Sequence, residues 1–294
     1  FCRQYSIDLV LVHQQSAVVP LIFSKPFIKA GSFYVRHNSD EDYITNPFKA
    51  ALLNKFINRF VRNIIAPSDI VYRYMVDKEK VPASRIQRIN YGYNFDQYEK
   101  ANLKNEKKIR EEHACSFLIL SIARLVHVKR HKIMFAAVKS LLEKGLDVKM
   151  ICLGTGKDEA ELQQWVKESA LEANILFKGR RQEIFDYLVA SDVLFHLSAT
   201  EASNSVVKET GWVERTAVVC ENVGDFSDYI IHGENGFLVN KENPLAESVE
   251  VLQLLYHDRA LLKSAGKGLH DKVVKEFDIN NLSKKYDALI NAVK

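Results

Sequence analysis

Short, nearly continuous apolar runs alternate with segments of helical periodicity along the whole chain. Runs that are apolar at nearly every position are typical of parallel strands that helices cover on both faces. The alternation therefore predicts parallel α/β sheets of doubly wound type. The expected strands are residues 7–12, 33–36, 63–66 and 86–89 in the first third, and 117–123, 148–153, 175–177, 193–197 and 217–220 in the remainder.

A polar, Lys-rich segment from Tyr98 to Arg110 interrupts this alternation and lacks strand character. A chain of 294 residues favours two domains. We therefore expect a linker there, between a first half with few strands and a second half with a complete doubly wound set. Because the first half is short for a domain with two helix layers, and the chain begins with Phe, we expect that domain to be incomplete at its start.

Composition and charge narrow the class of protein. With 47% hydrophobic and 27% charged residues, the chain is typical of globular proteins rather than disordered ones. No apolar run reaches the roughly 18 residues of a membrane helix, and the start lacks a signal-peptide pattern, so we expect a cytoplasmic protein. A net charge of +4 is too small to indicate nucleic-acid binding. The four cysteines form no C-x-x-C pair, which favours buried thiols.

Two cations follow the first expected strand of the second half. Arg124 and Lys129 lie between that strand and a helix expected to start near His131. Ligands of open α/β sheets bind where strands end and helices begin, so this pair would suit a diphosphate. Solvated residues of an ordinary turn are the alternative. The Leu-Gly-Thr-Gly turn at 153–156 lacks the third glycine of a dinucleotide fingerprint, which favours a tight turn without a ligand.

Two glutamates follow the expected strand 193–197. Glu201 and Glu209 are eight residues apart, so a loop edge and the next helix can present both to one crevice. Carboxylates there could accept hydrogen bonds from sugar hydroxyls, and Ser203, Asn204 and Ser205 offer amides and side chains to an anion. The alternative is a capped amphipathic helix with exposed glutamates.

The motifs in this order resemble the retaining glycosyltransferases of family 4. In the second half, R-x(4)-K follows the first expected strand, and a glycine turn follows the second strand. Phe177-Lys-Gly-Arg180 lies at the end of the third strand, and E-x(7)-E follows the fourth strand. Residues 222–228 and 232–239 look like the family's glycine loop and its G-x-N-G-[FL]-L-V turn. Residues 64–68 and 89–94 are similar to the family's end-of-domain segments, so the resemblance covers essentially the whole chain.

The resemblance implies the B-type glycosyltransferase fold, in which two Rossmann-like doubly wound domains face a cleft, with the first domain here incomplete. It assigns residues 1–98 to an acceptor-side domain and residues 99–278 to a nucleotide-sugar-binding domain, with the C-terminal helix 279–294 packed back on the first. The implied activity is transfer of a sugar, with retention, from a nucleoside-diphosphate sugar to a saccharide or lipid-linked acceptor. Synthesis of a surface polysaccharide or lipopolysaccharide is the implied process.

The resemblance also implies roles for individual residues. Arg124 and Lys129 would hold the donor diphosphate, and no metal or other cofactor is expected because these cations neutralise the leaving group. Glu201 would contact the donor sugar, and His37 would lie near it. The donor-binding residues would also include Glu209 at the ribose, Ser203, Asn204 and Ser205 beside the sugar and phosphate, and Gly179 and Arg180 at the base.

Departures from the family's pattern leave alternatives open. Asn204, Glu214 and Thr216 stand where relatives usually have Gly, Gly and Pro, and the family's N-terminal glycine-rich loop is absent from the sequence. A nucleotide-sugar epimerase of the same architecture and a non-catalytic nucleotide-sugar binding module are the alternatives. Asp40 and Asp42 have the D-x-D spacing with which A-type glycosyltransferases hold a metal, but they precede an expected helix whose first turn suits acidic residues.

Residues 48–65 have the pattern of a basic amphipathic helix. Its apolar positions on one broad face are Leu52, Leu53, Phe56, Ile57, Phe60 and Ile64, and its cations elsewhere are Lys49, Lys55, Arg59 and Arg62. Such a helix could dock on the anionic inner face of a membrane, which would fit a lipid-linked acceptor. Packing of this face on the first sheet is the alternative.

Overall fold

A computed structural model describes residues 2, 4–37, 46–98, 101–201 and 203–291. The chain divides into two compact units: unit 1 comprises Phe1–Asn94 with Glu276–Lys294, and unit 2 comprises Phe95–Lys275. Asp40 and Asp42 lie outside the described residues.

Ten strands form two parallel sheets among the described residues. The strands are β1 (Leu9–His13), β2 (Gly31–Val35), β3 (Ile64–Ala66), β4 (Ile86–Arg88), β5 (Phe117–Ile122), β6 (Val148–Leu153), β7 (Ile175–Gly179), β8 (Val193–His196), β9 (Ala217–Glu221) and β10 (Phe237–Val239). Unit 1 contains a four-stranded sheet in the order β1-β2-β3-β4, and unit 2 a six-stranded sheet in the order β10-β9-β8-β5-β6-β7. Both sheets are parallel throughout, as the alternation of the sequence predicts.

Helices separate the strands in both units. The described helices are α1 (Gln15–Ser24), α2 (Pro47–Phe60), α3 (Asp69–Arg73), α4 (Leu103–Glu112), α5 (His131–Glu143), α6 (Glu159–Glu168), α7 (Ile184–Ala190), α8 (Ser205–Trp212), α9 (Phe226–Tyr229), α10 (Pro244–His257), α11 (Arg259–Phe277) and α12 (Ile279–Asn291). The two-sheet α/β architecture confirms the predicted fold class.

Each sheet is buried by apolar residues of its own unit. In unit 2, Phe117 and Ile119 of β5 and Val193 and Phe195 of β8 are fully buried in one cluster with residues of α5, including Met134. In unit 1, Leu282 and Leu289 of α12 pack in a cluster with buried residues of β2 and β3. Near-continuous burial along β5, β8 and β9 explains why these strands appear in the sequence as unbroken apolar runs rather than alternating ones.

Three local features differ from the sequence prediction. Residues 237–239, assigned only to a turn motif, form β10, which pairs with β9; a three-residue strand is too short to give its own periodic signal. The expected helix 48–65 ends at Phe60 because Val61 is extended, and Ile64 already belongs to β3.

The third difference is in the polar segment after Tyr98, much of which folds as α4. Only Ile109 of this helix is buried, so its contacts with the rest of unit 2 are largely polar. The Asn102 N–H and the Asn105 amide donate to the Asp186 carboxylate at 2.6 and 2.7 Å. Polar anchoring of this kind leaves no apolar periodicity, and for that reason the sequence resembles a linker.

Candidate functional site

The strand order of unit 2 reverses between β5 and β8. From β5 the chain adds β6 and β7 on one side, and from β8 it adds β9 and β10 on the other. In doubly wound sheets the carboxyl ends of the two strands at such a reversal flank a crevice that binds ligands. The loops after these strands contact each other, since the Ala199 N–H donates to the Val128 carbonyl at 2.8 Å. The candidate site therefore lies at this edge of the sheet.

Glu201 binds three side chains through one carboxylate oxygen. Its Oε1 accepts hydrogen bonds from Lys129 Nζ, from His196 Nε2 at 2.8 Å and from Asn204 Nδ2 at 3.3 Å. The side chains of Lys129 and Glu201 are only 12% and 11% exposed, so this ion pair is largely shielded from solvent. The structure thus brings together two predicted site residues that are distant in the chain.

The charged neighbours of Glu201 keep it ionised. Burial alone would raise the pKa of this carboxyl, but the hydrogen bond and charge of His196, together with Lys129, lower it to about 2. A buried carboxylate is stable as an anion only when such partners compensate its lost hydration. Glu201 therefore supplies a fixed negative charge at the crevice.

Lys208 forms a second buried network beside the first. Its Nζ donates to Ser203 Oγ and Asn204 O, both at 3.0 Å, and to Asp225 Oδ2 at 2.7 Å. The Ser203 hydroxyl also donates to Asp225 Oδ2 at 2.7 Å. Lys208 and Asp225 have side chains that are 0% and 2% exposed. The network ties the start of α8 and the loop before it to the loop that follows β9.

Two glycines allow the loops of the crevice to approach closely. Gly224 has φ +61°, and a Cβ there would lie 2.6 Å from the Glu201 carbonyl oxygen. Gly154 has φ +136°, and a Cβ there would lie 2.0 Å from the Ala123 carbonyl oxygen. Both positions therefore require glycine for conformation and for space. The second contact gives the glycine turn after β6 a structural role against the loop that carries Arg124.

Glu209, on α8, has the opposite pKa shift from Glu201. Burial raises its pKa despite the charge of Lys208 and a hydrogen bond with the Ser205 side chain. Burial and the neighbouring Glu209 also raise the pKa of Tyr98, to about 12. Because no cation of the described residues is bonded to Glu209, it is a desolvated acceptor suited to hydroxyl donors.

Arg130 and Glu221 form a further ion pair at this edge. Arg130 Nη1 donates to Glu221 Oε1 at 2.6 Å, and the Glu221 side chain, at the end of β9, is fully buried. Burial raises the pKa of Glu221, and the opposing charge of Arg130 only partly offsets this effect.

The remaining predicted site residues lie at separate places. Arg124 is exposed in the loop after β5, and no described residue pairs with it. Gly179, with φ +66°, ends β7, and its carbonyl accepts from the Gly154 N–H at 2.9 Å; Arg180 after it is exposed. His37 belongs to unit 1, two residues beyond β2.

The half-buried His37 ring stacks with the rings of His13 and Tyr91. Its Nε2 lies 2.9 Å from His13 Nδ1, and its Nδ1 is hydrogen-bonded to the Tyr91 hydroxyl. Burial and the charge of His13 lower the pKa of His37. The imidazole is therefore favoured in its neutral form.

Several polar residues at this edge were missed by the sequence analysis. They are Arg130, His196, Lys208, Glu221 and Asp225. Two signals were present: His196 interrupts the apolar run of β8, and Lys208 lies between buried positions of α8. A charged residue on a buried helix face indicates an internal ion pair, but the sequence does not name its partner.

The described residues contain neither a cluster of metal ligands nor a helix that could span a membrane. No group of three or more His, Cys, Asp or Glu in that part of the chain is arranged to hold a metal ion. Within the same residues, no helix has both the length and the apolar character needed to cross a bilayer.

Comparisons with known proteins agree with this architecture. Residues 102–268 match a family described as glycosyl transferases group 1. An uncharacterized glycosyltransferase of Methanocaldococcus jannaschii is 25% identical, over 98% of this chain and 80% of its own length. The capsular polysaccharide biosynthesis glycosyltransferase CapM of Staphylococcus aureus is 22% identical, over 83% of this chain and 65% of its own length.

Solved structures show the same fold. HepE of Anabaena, solved in complex with UDP, superimposes with a TM-score of 0.89 at 20% identity, covering 99% of this chain and 80% of its own. The same protein has also been solved with UDP-glucose, with a TM-score of 0.85 at 21% identity and coverage of 97% and 79%.

Proposed function

The chain belongs to the glycosyl transferases group 1 family, and we propose that it is a retaining glycosyltransferase that uses a nucleoside-diphosphate sugar. The acceptor proposed is a saccharide or a lipid-linked saccharide, in the synthesis of a surface polysaccharide or lipopolysaccharide. The observation that carries the proposal is the shielded Lys129–Glu201 pair, which is located where the strand order of unit 2 reverses. CapM and the UDP complexes of HepE support the process and the donor class.

Arg124 and Lys129 are proposed to bind the donor diphosphate. A lysine ammonium has three N–H donors, and the bond from Lys129 to Glu201 occupies one of them, so two remain for phosphate oxygens. As the bond between the sugar and the phosphate breaks, negative charge grows on the leaving diphosphate, and fixed cations stabilise it. In this proposal the two cations do the work that a metal performs in other glycosyltransferases.

Glu201 is proposed to contact the donor sugar. Positive charge develops on the sugar while the diphosphate leaves, and the ionised Glu201 carboxylate favours that charge electrostatically. Attack by the acceptor on the face from which the diphosphate departs gives retention without a covalent intermediate. No residue is therefore assigned as a nucleophile.

The remaining donor contacts are proposed by position. Glu209 would accept hydrogen bonds from the ribose hydroxyls, and the backbone of residues 203–205 would lie beside the sugar and phosphate. Gly179 and Arg180 would flank the base, and His37 of unit 1 would act near the donor sugar.

A thermal-shift screen of UDP, GDP and ADP sugars identifies the donor. A ligand that binds only the folded state raises the protein's apparent free energy of unfolding with the logarithm of ligand concentration over Kd. The increase is about 2.7 kcal/mol at a ligand concentration of 100 Kd. The protein is then incubated with the stabilising nucleotide sugar and with saccharide acceptors, and the products distinguish the possible activities. A new glycosidic product supports transfer. An isomerised donor sugar indicates an epimerase, and binding of the donor without turnover indicates a non-catalytic module.

Arg124→Ala is the sharpest test of the donor site, because no described residue depends on that side chain. Loss of a charge-assisted hydrogen bond is expected to weaken binding of the nucleotide by at least about tenfold. Lys132→Ala, which removes an exposed cation from the start of α5, is the matched control. Calorimetry that finds equal nucleotide affinity in both variants would remove the diphosphate assignment.

A further inference from the structure

Helix α2 presents two different faces. Ala50, Asn54 and Ile57 are buried within unit 1, so Ile57 is the one residue of the expected apolar face that is fully buried in this helix. Phe48 and Leu52, by contrast, are 81% and 64% exposed. The exposed apolar residues are therefore a different set from the buried face, and packing of α2 on its unit leaves them uncovered.

More aromatic side chains are exposed around this helix. Phe60 at the end of α2 is 51% exposed, and Phe23 at the end of α1 is 67% exposed. Both rings contact the half-buried Phe56, with ring centroids 5.0 Å and 6.2 Å away. Phe27, in the turn after α1, is 70% exposed. Clustered exposed apolar residues of this size are typical of an interaction surface.

A cavity of about 750 Å³ opens between α2 and residues 74–85. Its apolar lining includes Leu52, Phe56 and Val81. The cations that line it are Lys55, Arg59, Lys78, Lys80 and Arg85. All of these cations except Arg85 are exposed, so the cavity combines an apolar wall with a positively charged border.

Within the described part of the chain, the exposed cations of this surface have no ion-pair partners. Helix α2 contains no acidic residue. Glu79 is the acidic residue among those lining the cavity, and its carboxylate is bound to Arg36 at 2.6 Å and to Asn58 at 2.7 Å. Of the described residues, none forms an ion pair with Lys55, Arg59, Lys78 or Lys80. A partner that covers this surface must therefore be anionic as well as apolar.

We propose that this surface of unit 1, formed by the exposed side of α2, the end of α1 and residues 78–85, docks on an anionic membrane. Exposed Phe and Leu side chains enter the boundary between headgroups and acyl chains, while Lys and Arg contact anionic headgroups. The positions of Phe48, Leu52, Lys55 and Arg59 follow the i, i+4, i+7, i+11 spacing of one helix stripe, so they can meet a flat surface together. The proposal deepens the proposed function, because it favours a lipid-linked acceptor over a free saccharide.

Vesicle co-sedimentation tests the docking without any assay of activity. The full chain is mixed with vesicles of phosphatidylcholine alone or of phosphatidylcholine and phosphatidylglycerol in equal parts. We expect binding to the anionic vesicles only, and a decrease as salt screens the charges. Binding to both kinds of vesicle, or to neither, would overturn the proposal.

Two variants locate the surface. The double charge reversal K55E/R59E is expected to lower binding to the anionic vesicles by at least about tenfold, since each cation near such a surface contributes favourably. F48S/L52S is expected to lower it as well by removing inserted apolar area. The matched control K284E/K285E changes the net charge of the same unit by the same amount, on exposed positions of α12.

Other outcomes distinguish the failure of this inference from that of the proposed function. Nucleotide affinity is measured in K55E/R59E, and an unchanged value shows that the donor site is independent of docking. Equal vesicle binding by K55E/R59E and its control would place the membrane contact elsewhere and overturn the inference. Concentration-dependent self-association that F48S/L52S abolishes, without vesicle binding, would show that a second copy of the chain covers this surface instead.

Discussion

Glu201 and Glu209 respond to burial in opposite ways, although one short motif contains both. Glu201 has a cation and an imidazole bonded to one oxygen, and its pKa falls to about 2. Among the described residues, Glu209 has the Ser205 hydrogen bond and the more distant charge of Lys208, which do not offset burial, so its pKa is raised. The partner bonded to each carboxylate, rather than the depth of burial, decides the sign of the shift.

Glu201→Gln is expected to destabilise the fold. Because its pKa in the folded state lies below the ordinary value of 4.5, ionised Glu201 stabilises the fold fully above that pH, and this contribution is lost as pH falls toward 2. The size of this pKa shift corresponds to a contribution of about 3 kcal/mol to the free energy of unfolding at neutral pH. Urea unfolding of the variant and the wild type at pH 7 and pH 4 measures this contribution. If the difference in the free energy of unfolding between the two proteins is not smaller at pH 4 than at pH 7, the expectation is contradicted.

Glu209→Gln is expected to leave the free energy of unfolding at pH 7 unchanged or higher. The raised pKa means that the folded state favours the protonated carboxyl, whose stabilising contribution is complete below the ordinary pKa of 4.5 and is lost as pH rises through the folded pKa. Ionised Glu209 at pH 7 therefore adds no stability that a neutral glutamine would lack. The same variant should weaken nucleotide binding if Glu209 contacts the ribose. A loss of stability equal to that of Glu201→Gln would show that Glu209 has an unrecognised structural partner.

At the scale of elements, the Lys208–Asp225 pair joins α8 to the loop between β9 and α9. Both side chains are almost completely buried, and Ser203 shares the network. Lys208 fixes one end of the loop that carries Glu201 by donating to the Asn204 carbonyl. The backbone of Glu201 packs closely against Gly224. The position of Glu201 therefore depends on contacts that are made by another loop.

Lys208→Met is expected to lower the free energy of unfolding by about 3–5 kcal/mol, because it leaves the Asp225 carboxylate buried without its cation. The double variant Lys208→Met/Asp225→Asn should recover a large part of this loss, since no buried charge remains. Lys132→Met, which breaks an exposed pair with Glu161, is the control and should change little. Additive losses in the double variant would mean that the two residues act independently.

At the scale of the whole molecule, the candidate donor-site residues other than His37 and the candidate docking surface belong to different units. Lys129, Glu201 and Glu209 lie in unit 2, whereas α2 lies in unit 1. A ligand protects from hydrogen exchange those amides whose opening it opposes, so two ligands of separate units should protect separate segments.

Site-resolved hydrogen exchange measures this separation. The nucleotide or nucleotide sugar that stabilises the protein is expected to protect residues 124–130 and 197–209, and anionic vesicles are expected to protect residues 47–60. Vesicles of phosphatidylcholine alone serve as the control for non-specific effects. Nucleotide protection confined to unit 1 would contradict the assignment of the donor site to unit 2.

The sequence by itself determined the α/β class, the strands other than β10, and the placement of Lys129 and Glu201 at strand ends. These follow from the spacing of apolar residues, which depends only on local geometry and on burial of both sheet faces. Only the tertiary structure decided which polar groups meet. The hydrogen bonds of His196, Lys208 and Asp225 form because β8 and β9 are adjacent and the loops after them converge. No local sequence pattern predicts this strand order. For the same reason, the pattern of α2 showed that it is amphipathic, but packing of the unit decided which of its apolar residues remain exposed.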